Sequence, residues 1–166
     1  HNDPVAVPVN GNLYGSVVRI AADCYPLPGD QIVGIMTTGE GVVVYPVGAP
    51  ALDQFEEQPE RWVAMRWDSG TMNEARLFDS RLNLTVVNRT GSLSIVAQTI
   101  ADFNANMSNL ALTQRDQDFC DLTLDIEVRD VQHVEQLVNA LKGSSVVSAA
   151  TRQLTGEVSP SRDEKK

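Results

Sequence analysis

In the first part of the chain, apolar residues come in short β-branched runs cut by Pro, Gly and acidic residues. Positions 16–21 (SVVRIA), 31–37 (QIVGIMT), 41–46 (GVVVYP) and 62–67 (WVAMRW) each read as a strand bounded by turn residues. Between the first two, Pro28, Gly29 and Asp30 form a type II turn: Pro presets φ at the first central position and Gly accepts positive φ at the second. A short helix is expected at 51–57, stopped by Pro59. The polar stretch from Asp68, with Gly70, marks residues 69–75 as a linker.

From Arg76 the period changes. Leu82, Leu84 and Val86 alternate with Asn83 and Thr85, a half-buried strand. After NRTGSL, residues Leu93, Val96, Ala97, Ile100 and Phe103 share one helix face, with Ser92 as N-cap and Thr90 competing for that place. Two more alternating strands follow at 106–114 and 120–128. Asp130 then caps a second helix with Val131, Val134, Leu137, Val138 and Leu141 inward, ended by Gly143 at C′, and 146–152 supplies the last strand. The expected fold class is α+β. A small β-rich domain with one helix (1–68) precedes the linker, a ferredoxin-like βαββαβ domain (76–153) and a frayed tail (154–166).

Charge narrows the functional classes. The net charge of −9 is uneven, with four Arg against eleven acidic residues in 1–79 and six basic against eight acidic in 80–153. Unaided binding to nucleic acid needs a basic stripe, and none is present. Two cysteines are too few for a disulfide framework, and no apolar run reaches a membrane span, so a cytoplasmic location is expected. No nucleophile, phosphate loop, paired carboxylate or metal-ligand pattern assembles, so no catalytic residue, metal or cofactor is assigned.

The order of motifs carries a resemblance. Asn88, Arg89, Gly91 and Leu93 after the first strand, with Ala105 and Asn106 opening the second, resemble an ACT domain. The preceding PLPGDQIVG, GEGVVVYP and ERWVAMRWD resemble the segment before the ACT domain in long RelA/SpoT-type enzymes, the synthetases and hydrolases of guanosine tetra- and pentaphosphate. The resemblance implies a regulatory C-terminal fragment, not itself an enzyme, that acts on the catalytic domains of its parent chain. A four-stranded sheet of this topology leaves an edge strand and a helix face to cover, so a homodimer through the ACT domains is expected, and the resemblance implies an amino-acid site between the loop Asn88, Arg89, Thr90, Gly91, Ser92 and Leu93 and a partner's Asn106, Met107 and Ser108. With Leu93, Met107 and Leu110 as walls, valine or isoleucine is the favoured ligand. Two other readings stand beside it: a module touching ribosomal or transfer RNA, which the charge disfavours, and a dimerisation module without ligand.

The family's zinc-finger-like pattern is degenerate here. Where it has a Cys pair, a His and another Cys, this chain has Asp23 and Cys24, Tyr45 and Ala49. Two donors at most do not make a four-coordinate site, so Cys24 is expected to be a half-buried small hydrophobe. His133 is expected in solvent and Cys120 in the core. Trp62 and Trp67, at odd spacing, belong to opposite faces, the second available to the neighbouring domain.

Overall fold

The computed structural model describes residues 5–7, 12–13, 16–68 and 77–153, so the proposed linker and tail lie outside the described residues. The chain divides into two compact units at Leu77.

The N-terminal unit is a six-stranded mixed sheet in the order β1-β6-β4-β5-β3-β2. Its strands are β1 (Val5–Val7), β2 (Asn12–Leu13), β3 (Ser16–Ile20), β4 (Ile32–Thr37), β5 (Gly41–Pro46) and β6 (Trp62–Trp67). The two shortest escaped the sequence pattern because two or three residues carry no period. The turn before β4 closes as expected: Asp30 N–H donates to Leu27 O at 2.8 Å, the Asp30 carboxylate accepts from Leu27 N–H at 2.7 Å, and Gly29 has φ 104°. The expected helix at 51–57 is instead a pair of 3-10 turns, Pro50–Phe55 and Pro59–Arg61. Its carbonyls go elsewhere: Phe55 O accepts from Gln58 N–H at 3.0 Å and from the Trp62 indole at 2.8 Å. Trp62 packs with Ile35, Leu52 and Phe55, and Trp67 with the cluster of Val44 and Met65 on the other face. The indole of Trp67 donates to Asp30 O at 3.1 Å, so this side chain too serves its own unit.

The C-terminal unit is ferredoxin-like. It runs β7 (Phe78–Val87), α1 (Ser92–Asp102), β8 (Asn106–Arg115), β9 (Phe119–Val128), α2 (Val131–Lys142) and β10 (Val147–Gln153). The antiparallel sheet has the order β10-β7-β9-β8. Alternate residues of β7 and β9 are buried, and the register pairs Leu82 with Leu124, Leu84 with Leu122 and Val86 with Cys120. That apolar layer meets Val96 and Ile100 of α1 and Val134, Leu137 and Leu141 of α2. The opposite sheet face is polar and interlocked: Arg81 binds Asp125 through two nitrogens at 2.7 and 3.2 Å, and Thr85 donates to Asp121 at 2.7 Å.

Three expectations need correction. Ser92 is the first helical residue rather than the cap; Gly91 occupies the cap at φ 91°, a left-handed turn that only Gly enters without cost, and no side chain caps the helix. Gly143 is right-handed at φ −76°, because the chain tightens into a bond from Ser144 N–H to Leu141 O instead of reversing. His133 is 2% exposed rather than solvated. It sits at the third position of α2, where its own N–H donates to the capping Asp130 carboxylate and its Nδ1 accepts from Arg129 N–H at 3.0 Å. With Nδ1 an acceptor, the neutral ring carries its proton on Nε2 and donates to Phe103 O at 2.6 Å. The spacing Asp130-x-x-His133 is a reciprocal cap, a variant of the capping box.

Candidate functional site

The Asn88–Leu93 loop is shaped by backbone bonds that leave one end of α1 open. Asn88 ties it down twice, N–H to Asp118 O at 2.9 Å and side-chain amide to Asp116 O at 2.7 Å. Asp116 and Asp118 belong to the β8–β9 turn, so the loop is fastened beside the C-terminal end of β8. The Asn88 side-chain oxygen remains available as an acceptor. Arg89 N–H bonds Val87 O, Ser92 N–H bonds Arg89 O at 3.3 Å, and Ile95 N–H bonds Gly91 O at 3.1 Å. Among the described residues the amides of Leu93 and Ser94 have no partner, and the Ser92 hydroxyl, 3% exposed, is likewise unpaired. An uncapped helix start with free N–H groups attracts a carboxylate. Arg89, Thr90 and Gly91 are exposed, and Leu93 and Ile95 present apolar surface at 46% and 43% exposure.

The other expected half, Asn106 to Ser108, opens β8. Asn106 and Ser108 are exposed and Met107 half-buried; the Asn106 amide donates to the Glu127 carboxylate and the Ser108 hydroxyl to Asp125 O at 3.1 Å. Within one chain the two halves do not meet. They flank α1, whose eleven residues span about 16 Å at 1.5 Å each.

Among the described residues β8 is an edge strand, paired only to β9. Leu110 and Leu112 pair with the inward Leu124 and Leu122, yet are 37% and 51% exposed, so the rim of the apolar layer lies open. A sheet edge beside exposed leucines is a docking template.

At the positions of the degenerate metal pattern, Cys24 is 3% exposed, and burial, with the neighbouring Asp23 carboxylate, pushes its thiol above the ordinary value of 9.0. Ala49 offers no donor, and among the described residues no group of His, Cys, Asp and Glu is placed to hold a metal. No helix among the described residues is long and apolar enough to cross a membrane.

Comparison with known proteins follows the same division. Residues 7–68 match the RelA/SpoT RIS domain and residues 74–152 match the ACT domain. The chain is 38% identical over 147 residues to the GTP pyrophosphokinase rsh of Brucella ovis and of Brucella abortus, covering 89% of this chain and 19% of theirs. It is 23% identical over 138 residues to the bifunctional (p)ppGpp synthase/hydrolase SpoT of Escherichia coli, covering 83% of this chain and 19% of that one. The chain thus spans about a fifth of the length of these curated relatives. Among solved structures, the ACT domain from GTP pyrophosphokinase of Chlorobium tepidum aligns over 46% of this chain and 97% of that one, with 17% identity and a TM-score of 0.41.

Proposed function

The chain belongs to the RelA/SpoT family, as its C-terminal RIS and ACT regulatory region rather than its catalytic domains, and from that premise we propose that its ACT unit senses a branched-chain amino acid at a site completed by two copies. The observation that carries this reading is the double tie of Asn88 to the β8–β9 turn. If two β8 edges pair antiparallel about a two-fold axis, the start of one β8 lies beside the end of the other. The end of β8 is where the Asn88 loop is fastened, so Asn106 to Ser108 of the second copy comes against it. The same pairing covers Leu110 and Leu112 of both copies.

Each group then has a chemical role. The free amides of Leu93 and Ser94 receive the ligand carboxylate, the side-chain oxygen of Asn88 or Asn106 accepts from the ammonium, and Leu93 with Met107 encloses two or three methyl groups. Burying such a side chain contributes about 1.5 to 3 kcal/mol, and the ordering losses of association leave affinity in the micromolar to millimolar range. Valine and isoleucine fit the apolar walls that Leu93 and Met107 supply.

Regulation follows from linkage. A ligand that binds paired ACT units better than separate ones shifts their population, and through it the balance of synthesis and hydrolysis in the catalytic domains of a parent chain in the cytoplasm. An RNA-binding role has less support, since residues 1–79 hold four Arg against eleven acidic residues. Calorimetric titration with valine, isoleucine and leucine tests the reading. Saturable heat is expected, lost at least about tenfold in Asn88→Ala, which removes a hydrogen bond to a charged group. No heat and no shift in melting temperature with any of the three would refute it.

A further inference from the structure

The N-terminal unit has a concave surface of its own. A cleft of about 730 Å³ lies between the Ala22–Cys24 turn and the 3-10 segment Pro50–Phe55. That volume is in the range of small-molecule sites. Val43 and Tyr45 of β5 form its floor with Phe55, and the Tyr45 and Phe55 rings stand 6.1 Å apart at 58°. Cys24 and Ala21 close the back as buried, uncharged surface.

Its polar groups are few and held. Arg61 is fixed by three contacts: Nε donates to Met36 O at 2.9 Å, one terminal nitrogen donates to Gln58 at 3.0 Å, and the guanidinium lies 4.6 Å from the Phe55 ring centre. Its other terminal nitrogen has no partner among the described residues. The half-buried Tyr45 hydroxyl has none either. Arg19 also lines the cleft, paired with Glu40. In a half-chain with only four Arg and no Lys, two of the four cations stand at one cleft.

We propose that this cleft binds a small aromatic carboxylate, with its carboxylate on Arg61 and the Tyr45 hydroxyl and its ring against Tyr45 and Val43. A preset guanidinium with one terminal nitrogen unpartnered gives a carboxylate a charged donor at little ordering cost. The floor favours a planar apolar body. Asp23 and Glu40 line the same cleft, so a dianion such as a phosphate monoester meets like charge that a monoanion tolerates. A cation finds the two guanidinium groups instead.

The experiment uses the full chain and 2-naphthoate as probe, with 2-naphthyl phosphate and naphthalene-2-methanol as comparisons, read by backbone amide shifts. Saturable shifts are expected at residues 19–24, 43–45 and 54–61 with 2-naphthoate, with weaker binding of both comparison compounds. Arg61→Gln should weaken 2-naphthoate at least about tenfold by removing a charge-assisted bond. Tyr45→Phe, which keeps the shape of the floor, should weaken it by a smaller factor. The proposal is overturned if 2-naphthoate gives no saturable shifts, if its shifts lie only beyond residue 77, if the phosphate or the alcohol binds as tightly, or if both variants bind like the parent.

Discussion

In the N-terminal unit β5 buries Val42, Val43 and Val44 in succession, whereas in the C-terminal unit β9 buries every second residue from Cys120 to Val128. The first sheet buries apolar residues on both faces, with the 3-10 segment Pro50–Phe55 packed on one of them; the second is covered on one face by two helices and leaves the other to a polar network. The difference decides where each unit can receive a partner. A sheet with apolar residues on both faces offers clefts beside the turns packed on it, such as the one lined by Tyr45. A half-covered sheet offers an edge, and the helix that covers it offers an uncapped end.

The two constructions can be separated by core substitution, because both tryptophans, Trp62 and Trp67, belong to the N-terminal unit. Leu124→Ala removes a side chain that is 0% exposed in the alternating layer, at a cost of about 2 to 5 kcal/mol. The circular-dichroism melt of the C-terminal unit should fall while the midpoint followed by tryptophan fluorescence stays put. A joint fall of both signals would mean that the units share one cooperative transition.

The reverse experiment is Gly34→Ala. Gly34 is wedged on β4 so that an added Cβ would collide with Met65 and lie 2.6 Å from Val42. Overpacking of this kind costs about 1 to 3 kcal/mol. Tryptophan fluorescence should report the loss, and valine binding at the ACT loop should be unchanged.

Legibility in the sequence follows the same contrast. Strict alternation at Leu82, Leu84 and Val86 and again at Leu122, Leu124 and Ile126 names both β7 and β9 and their buried faces, and apolar residues at helical spacing name the two helices. In β4 and β5 the apolar run marks a strand but not a face, and the proline-bounded 50–61 segment reads as a helix only until its carbonyls are assigned. The polar type of His133 fits a solvated helix face, and its burial follows instead from its pairing with Asp130 three residues earlier. For the ACT loop, the sequence supplies the residue types, but that Asn88 is bonded to Asp116, and so stands at the end of an edge strand, is a long-range fact with no local signal.

A smaller effect concerns pH. Burial and Asp23 hold the Cys24 proton more tightly in the folded state, so this contribution to stability is intact below the thiol's ordinary value of 9.0 and is lost as pH rises through the raised folded value. Cys24→Ser should flatten the alkaline fall in stability, and Cys24 should react more slowly with iodoacetamide at pH 8 than free cysteine does. Rapid alkylation in the folded protein would contradict the buried, protonated thiol.

The claim that one amino-acid site is built from two chains is tested most directly by mixing two defective variants. Asn88→Ala spoils the loop half and Asn106→Ala the strand half, so each alone should bind valine poorly. After unfolding and refolding together in equal amounts, half of the dimers are mixed and each mixed dimer contains one intact pair of halves, so binding should return to about a quarter of the parental sites. A mixture that binds no better than its two components would contradict a shared site.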